Sequence, residues 1–318
     1  MCYTGVTMKD RNEAPQTLID AIRYFADPDV SLAFVVELRW PEGVTCPTCG
    51  SKDVRFLEKR RVWECRNRHD RRQFSVKAGT IFEDSPLPLD KWLAAIWMIA
   101  NAKNGISSYE VHRALGITQK SAWFMLHRIR LAMQAKSFVK LGGEVEVDET
   151  FIGGKARNMH AGARKAKGRG TVGKAVVMGL LERHGEVRTE VVSDIRRGTL
   201  HPEVKKHVEP GSMIYTDELK SYDGLEADYA HKVINHAEAY VKGNVHTNGM
   251  ENFWSLLKRG IKGTYVSVEP FHLFRYLDEE AFRFNTRKDN DAGRFLRVAA
   301  SIAGKRLEYR NLIGDTTA

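Results

Sequence analysis

Apolar residues recur at helical spacing in residues 1–40 and again in residues 88–136. A turn interrupts the first stretch, which therefore predicts a small helical arm. In the second stretch Ser107 and Gly116 are residue types that begin and end helices, and they divide it into three predicted helices. Residues 41–83 lie between these stretches and consist of short strand-like runs and turn residues. They predict a separate small unit without helices.

From residue 144 onward the apolar residues alternate with polar ones, which predicts strands. In the first of these strands Glu146, Asp148 and Thr150 fall on one face, and the other face is mainly apolar. The whole domain then has the order β-β-β-α-β-α-β-α. After the first strand, strands are predicted at 175–181, 187–193, 212–217 and 229–234, and helices near 200–208, after the turn that follows Asp217, and from 247. Such alternation is typical of an α/β domain with a mixed sheet.

The charge of the chain indicates what kind of partner it binds. Fifty Lys and Arg residues face 40 Asp and Glu residues, so the formal charge is +10. This surplus favours polyanions such as nucleic acid. No run of about 18 uncharged apolar residues occurs, so we expect no membrane partner. The first residues lack the features of a secretory signal, and we expect a cytoplasmic protein associated with the nucleoid.

Four metal-ligand side chains occur as two pairs. Cys46 and Cys49 form a Cys-Pro-Thr-Cys turn, and Cys65 and His69 follow after fifteen intervening residues that alternate as a hairpin would. Three thiolates and one imidazole complete a tetrahedral zinc site with no open position. The sequence therefore predicts a zinc ribbon that holds one structural Zn²⁺. The alternative is that these are ordinary buried cysteines and a surface histidine.

The second and third helices of residues 88–136, joined by a turn containing Gly116, have the pattern of a helix-turn-helix. The third helix would then enter the major groove of DNA. Its candidate DNA-binding residues are Gln119, Lys120 and Ser121 at its start and Arg128 further along. A basic, glycine-rich loop from Gly153 to Lys174 adds the candidates Lys165, Lys167 and Arg169. A plain helical hairpin with a charged exterior is the alternative for the helices.

Three carboxylates fall on elements that an RNase H-like domain would bring together. Asp148 lies in the first strand, Asp217 ends the fourth strand, and Glu251 lies in the first turn of the last helix. Two hard cations such as Mg²⁺ or Mn²⁺ need shared oxygen ligands to hold both oxygens of an in-line displacement. Any one of these acids alone would be an ordinary surface carboxylate. The three together predict a two-metal site.

The chain resembles the bacterial insertion-sequence transposases of the DDE type, and specifically the ISXO-like group, over about residues 25–290. The segments that carry the resemblance are Cys46–Cys49, Gln73–Phe82, Val145–Gly154, Tyr215–Asp217 and His246–Arg259. The last segment is the most specific.

The resemblance implies that Asp148, Asp217 and Glu251 are the catalytic triad. It also implies that Lys258 contacts DNA near the reacting phosphate. In such families asparagine can take the third position, so Asn248 is the rival to Glu251. The chain departs from the group at His69, where a cysteine two residues after its partner is usual.

These observations predict a multidomain α+β protein with an RNase H-like catalytic domain. The expected segments are a helical arm at 1–40, a zinc ribbon at 41–83, a helix-turn-helix domain at 84–137, the catalytic domain at 140–290 and a C-terminal tail at 291–318. The expected function is Mg²⁺-dependent cleavage and transfer of DNA strands by a transposase. Its partners would be the terminal inverted repeats, target DNA and further copies of the chain.

Three alternatives remain open from the sequence. An RNase H-like, structure-specific nuclease would cut DNA without joining it. A noncatalytic DNA-binding regulator would carry the acids by accident or as a relic. A tyrosine nucleophile, Tyr215 or Tyr222, would replace the metal-dependent mechanism.

Overall fold

The computed structural model describes residues 15–134, 139–153, 173–234 and 246–314. Its helices α1 to α10 span Leu18–Phe25, Pro28–Arg39, Leu89–Asn101, Ser108–Leu115, Gln119–Met133, Arg197–His207, Asn248–Gly260, Leu273–Asn285, Asp291–Ala300 and Tyr309–Leu312. Its strands β1 to β8 span Val54–Leu57, Val62–Cys65, Gln73–Phe74, Glu144–Ile152, Ala175–Glu182, Val187–Val192, Met213–Asp217 and Ala230–Ile234. The chain divides into two compact units, residues 1–133 with 289–318, and residues 134–288.

In the first unit, β1 and β2 form the predicted hairpin, with Val54 paired to Cys65. The three helices α3 to α5 also begin and end where the sequence predicts. The capping box at the start of α4 is complete, because Ser107 and Glu110 each accept the other's backbone N–H. Gly116 ends α4 with φ at +59°, a conformation that glycine adopts without steric cost.

The segment from residue 291, predicted as a tail, is part of the first unit instead. Phe295 of α9 stacks on Phe34 and packs against Trp97, with ring centroids 5.8 and 5.1 Å apart. Beyond α9 the chain pairs with an earlier segment, where Ile81 donates its backbone N–H to the carbonyl of Ile302. The apolar stripe of α9 is short, and the partners of Phe295 lie 198 and 261 positions earlier in the sequence, so local pattern alone gave no sign of this packing.

The second unit contains a five-stranded sheet in the order β6-β5-β4-β7-β8. From the central strand β4 to the edge strand β6, neighbouring strands are antiparallel. On the other side of β4, strands β7 and β8 run parallel to it. If β4 is counted as the first strand of this unit, the order across the sheet is 3-2-1-4-5. A mixed sheet of this kind is the RNase H-like arrangement that the sequence predicts. Leu200 and Val204 of α6 pack with the apolar face of β4. Helix α7 covers the other face.

One predicted helix is wrong. The segment between β7 and β8 forms two short 3₁₀ turns, Lys220–Tyr222 and Leu225–Ala227, instead of an α-helix. Gly224 separates the turns with φ at +91°, which ends any helical run. Tyr222 and Leu225 are buried in the core beneath the sheet, so packing rather than helical propensity fixes this segment.

The phenol of Tyr222 donates a hydrogen bond to the Glu149 carboxylate. Glu149 lies on the face of β4 opposite Asp148, so the bond ties this strand to the turn after β7. Burial raises the pKa of Glu149, and the Asp148 and Asp217 carboxylates raise it further, to about 8. Glu149 is therefore mainly protonated at neutral pH.

Helix α7 approaches the sheet closely because a glycine lies at the contact on each side, Gly179 in the sheet and Gly249 in the helix. A Cβ at Gly179 of β5 would lie 2.2 Å from Cε of Met250 and 2.7 Å from Cζ2 of Trp254. A Cβ at Gly249 would lie 2.5 Å from Cδ2 of Leu181 and 2.8 Å from Oε2 of Glu146. Each distance is shorter than a real contact, so a side chain at either position would force its neighbours to move, and at Gly179 one of those neighbours is the rigid ring of Trp254. None of the described helices is long and apolar enough to cross a membrane.

We expect Gly179→Ala to lower the free energy of unfolding by about 1–3 kcal/mol, because the new methyl group overpacks the interface with α7. Urea unfolding followed by circular dichroism measures this change. Gly198→Ala, near the start of α6, is the matched control, because a Cβ there meets no atom within 4 Å. It should be neutral or stabilising by up to about 1 kcal/mol. Equal loss in both variants would contradict the close approach.

We also expect Glu149 to make the second unit less stable as pH rises. Its pKa is about 8 in the folded chain and 4.5 ordinarily. Proton binding therefore stabilises the folded state fully below pH 4.5, and this contribution is lost as pH rises towards 8. Urea unfolding at pH 5 and pH 8, without added Mg²⁺, should show Glu149→Gln gaining on the wild type by up to about 1.4 kcal/mol per pH unit. Parallel curves would contradict the raised pKa.

Candidate functional site

The parallel pairing of β4 with β7 brings two of the predicted acids to neighbouring strands. Glu146 of β4 pairs with Tyr215 of β7. Asp148 and Asp217 each lie two positions further along, and therefore on the same face as that pair. This face is the one that α7 covers. The register thus places both aspartates on the face of the sheet that packs against the helix carrying Glu251, and Asp148 contacts that helix directly.

Trp254 of α7 fixes the orientation of Asp148. Its indole N–H donates to Oδ2 of Asp148 at 2.9 Å. Burial raises the pKa of Asp148. Hydrogen bonds from the Glu149 backbone and from Trp254 oppose this rise, whereas the charges of Asp217 and Glu251 add to it. Asp148 is therefore within electrostatic range of both other acids, and a bound cation would offset their charges.

The first turn of α7 is anchored by a buried acid. The Glu146 carboxylate accepts the backbone N–H of Met250 at 3.0 Å and a bond from Nε of Arg183 at 3.0 Å. Arg183 also donates to Glu144 and stacks over the ring of Tyr215, 4.0 Å from its centroid. This network fixes the position of the first turn of α7, and therefore the distance of Glu251 from the sheet.

Sequence reasoning missed the roles of Glu146 and Trp254, although both carried a signal. Glu146 is an acid within a buried strand, which needs a partner. Trp254 follows Glu251 by three positions and so lies on a neighbouring part of the same helix face. The structure also bears on the tyrosine alternative. Tyr215 and Tyr222 are both buried, and their rings or phenols contact Arg183 and Glu149.

The structure places Lys258 and Asn248 at opposite ends of α7. Lys258 is half-buried in its last turn. Burial lowers the pKa of its ammonium group, the charge of Lys262 lowers it further, Asp148 raises it, and Lys174 lowers it. Lys258 is thus within electrostatic range of the carboxylates. Asn248, the rival third ligand, is the exposed first residue of α7.

The four predicted zinc ligands meet at one point of the ribbon. The ligand atoms of Cys46, Cys49, Cys65 and His69 all lie within 4.8 Å of one another. Sγ of Cys46 is 3.4 Å from Nε2 of His69, and Sγ of Cys49 is 3.6 Å from Sγ of Cys65. A tetrahedral zinc ion places its ligand atoms about 3.6–3.8 Å apart, so the arrangement fits zinc.

The histidine of this cluster is oriented by its own backbone. Nδ1 of His69 lies 2.5 Å from the carbonyl oxygen of Asp70. A carbonyl can only accept, so Nδ1 carries the proton and Nε2 presents a lone pair to the three sulfur atoms. His69 is therefore positioned to offer a fourth ligand atom beside the three sulfur atoms.

The thiols of the cluster differ in acidity. Burial raises the pKa of Cys46, but hydrogen bonds from the backbone of Cys49 and Thr48 and from the neighbouring thiols outweigh it, so the pKa falls to about 7. Burial raises the pKa of Cys65 to about 11. Thiolate forms first at Cys46, and thiolate is the species that binds metal.

The structure corrects the prediction for Arg128. Its side chain is buried, and its guanidinium donates to the carbonyl oxygens of Ile81, Glu83 and Leu307 at 2.7 to 3.1 Å. It therefore ties α5 to the rest of the first unit and does not face a DNA groove. The cause is long-range, because the carbonyls it satisfies come from distant segments.

The other predicted DNA-binding residues lie at the start of α5 or outside the described residues. Lys120 is exposed, with its ammonium group 4.5 Å from the ring centroid of Tyr309. Gln119 donates to Ser108 at 2.9 Å, and Ser121 is bonded to Thr118, which caps the helix. Lys165, Lys167 and Arg169 lie outside the described residues.

Comparisons with known proteins agree with this arrangement. The family model described as an ISXO2-like transposase domain matches residues 140–285, and the one described as a transposase zinc-ribbon domain matches residues 28–68. A chain in the crystal structure of a pre-cleavage Mos1 transpososome aligns with 68% of this chain and 80% of that chain at 13% identity. The TM-score of this alignment is 0.24.

Two curated relatives carry names that refer to transposable elements or transposases. An uncharacterized protein in transposable element ISH50 of Halobacterium salinarum is 26% identical over 75% of this chain and 84% of its own length. An uncharacterized transposase-like protein of Haemophilus influenzae is 35% identical over 31% of this chain and 81% of its own length. The chain belongs to the family of ISXO2-like transposases.

Proposed function

We propose that this chain cleaves the ends of its own insertion sequence and joins the resulting 3′-OH groups to target DNA, with Asp148, Asp217 and Glu251 as the catalytic triad. The observation that supports this most strongly is the placement of Asp148 and Asp217 on one face of the sheet, with Glu251 near enough for its charge to act on Asp148. Negative charges that raise the pKa of a buried acid are costly to bring together, and a metal site is the common reason for that cost.

The residues fit two hard cations, Mg²⁺ or Mn²⁺. Bound ions would hold the attacking and leaving oxygens of an in-line phosphoryl transfer. Trp254 donates to Oδ2 of Asp148, and the carboxylate would also bind a metal. Glu251 is exposed in the first turn of α7, where DNA can reach it. Lys258 supplies positive charge for the phosphate next to the scissile bond.

Cys46, Cys49, Cys65 and His69 hold one structural Zn²⁺ in this proposal. All four positions of a tetrahedron are then filled by the chain, so the ion has no open site for catalysis. Its contribution is to the folding of the ribbon, which is too small to close an apolar core of its own.

DNA recognition is assigned to the first unit and to the basic loop of the second. Gln119, Lys120 and Ser121 at the start of α5 would read the terminal inverted repeats. Lys165, Lys167 and Arg169 would contact phosphates. Both element ends must be processed, so we infer that copies of the chain assemble on DNA, in the cytoplasm and associated with the nucleoid.

We expect Asp148→Asn, Asp217→Asn and Glu251→Gln each to slow cleavage by about a thousandfold or more, because each removes a charged metal ligand. The measurement is Mg²⁺-dependent nicking and joining of DNA that carries the inverted repeats flanking the gene. Mobility-shift assays should show unchanged DNA binding. Asn248→Ala is the matched control on the same helix turn and should cut normally.

The outcomes of this experiment separate the alternatives. Cleavage without joining would indicate a structure-specific nuclease, and specific binding without metal-dependent cleavage would indicate a regulator. Loss of cleavage in Asn248→Ala with retention in Glu251→Gln would move the third ligand to Asn248. A covalent protein–DNA species that disappears in Tyr215→Phe or Tyr222→Phe would overturn the metal-dependent mechanism.

We expect one zinc ion per chain by native mass spectrometry. Cys49→Ser and His69→Ala should each reduce zinc occupancy and expose residues 41–83 to proteolysis, because zinc binding supplies folding energy. Cys2→Ser changes the remaining cysteine and should keep both the zinc and the resistance to protease. Full zinc occupancy in His69→Ala would show that the histidine is not a ligand.

A further inference from the structure

Three ammonium groups gather where α7 ends. Lys258 lies in the last turn of α7, and Lys262 lies four residues on, in the π-helical turn Ile261–Tyr265. Lys174 directly precedes β5, and its neighbour Ala175 packs against the apolar cluster that includes Leu257 and Ile261. The charges of Lys262 and Lys174 both act on Lys258. The three lysines therefore form one surface, here called the lysine surface.

This surface lacks acidic partners of its own. Within the described part of the chain, no carboxylate lies within 4 Å of any of the three ammonium groups, and Asp148 is the acid whose charge reaches Lys258. Like charges brought together without counter-ions destabilise a folded chain. The arrangement is best explained by an anionic ligand that the chain binds there.

The segment that carries Lys262 is held rigidly. The phenol of Tyr265 donates to the buried carboxylate of Glu279 at 2.5 Å, and Arg283 pairs with that same carboxylate. At Val266 the backbone turns sharply, with φ at +63° and ψ at −54°. The backbone that carries Lys262 is thus anchored to the helix of Glu279 through Tyr265.

The spacing and direction of the lysine surface match a nucleic-acid backbone. Helix α7 starts over Glu146 and Leu181 and ends over the other end of the sheet, near Ala175. A DNA strand that runs from the carboxylates along α7 would contact Lys258 first. Residues four apart on a helix lie about 5–6 Å from each other, so Lys262 would reach a neighbouring phosphate. Lys174 approaches from the sheet side.

We propose that Lys174 and Lys262, together with Lys258, bind consecutive phosphates of the DNA strand that leaves the carboxylate site, and so set the direction in which that strand runs. This inference rests on the proposed function, because it takes the ligand of the carboxylate site to be DNA. It adds Lys262, which no motif of the sequence singles out, and gives a specific role to Lys174 at the end of the basic loop.

The test uses the full chain without added Mg²⁺ or Mn²⁺ and DNA carrying the flanking inverted repeats. Binding is measured between about 50 and 200 mM salt. Lys262→Ala and Lys174→Ala should each reduce the magnitude of the salt slope by about 0.9, so that this rise in salt weakens binding about threefold less than in the wild type. Lys262→Arg should restore the slope. Lys205→Ala is the control, because it removes a lysine from α6 on the opposite face of the sheet.

A second measurement localises the contacts. Single phosphates near the cleavage point are replaced, one at a time, by uncharged methylphosphonates. If Lys262 contacts one of them, the replacement should weaken wild-type binding there but cost nothing further in Lys262→Ala, because the two changes remove the same interaction. Lys174→Ala should show the same coupling at a different phosphate.

Unchanged salt slopes in both variants, or equal methylphosphonate penalties in wild type and variants, would overturn the proposal. Adding Mg²⁺ to the same wild-type preparation reports separately on the proposed function. Cleavage by the wild type with uncoupled lysines would leave the transposase assignment intact and remove only the lysine surface. Absence of both cleavage and specific binding by the wild type would contradict the proposed function itself.

Discussion

Strand β4 must carry charge into a protein interior, and the surroundings of that strand are arranged around this constraint. Glu146, Asp148 and Glu149 all lie within four positions, and burying an ionised carboxylate without compensation costs several kcal/mol. Each acid is compensated differently. Glu146 pairs with Arg183 and accepts a helix N–H. Asp148 accepts one bond from Trp254. Glu149 keeps its proton at neutral pH and accepts the bond from Tyr222.

Because they are compensated differently, the three acids have different roles in the strand. The fully satisfied Glu146 fixes α7, and the mainly protonated Glu149 ties down the turn after β7 on the opposite face. Asp148 between them accepts hydrogen bonds but, among the described residues, forms no ion pair with a lysine or arginine. A metal site needs such a group, because a carboxylate already neutralised by arginine would have little charge left to offer a cation. The rigidity of its neighbours then keeps Asp148 in place.

The sequence predicted those parts of the structure that depend on neighbours along the chain. The alternation of β4, the capping box at Ser107 and the Cys-Pro-Thr-Cys turn each involve residues within a few positions. The parts it missed depend on distant contacts. Arg128 looks like a DNA-binding arginine until its carbonyl acceptors from 81, 83 and 307 are known. The turn at Tyr222 owes its shape to the core beneath the sheet, and α9 to aromatic rings at the other end of the chain.

The first unit is built from both ends of the chain, and this has a consequence for its synthesis. Thr80 forms a bridge with Ala303, and Gly304 donates to the carbonyl of Gly79, so these pairs are separated by more than 220 residues. A ribosome adds about 5–20 residues per second, so the early segments wait for roughly tens of seconds before their partners emerge. During that time the second unit, which is continuous in sequence, can complete its sheet. A truncated messenger RNA that lacks the last codons would therefore yield a chain in which the second unit is folded and the first unit is incomplete.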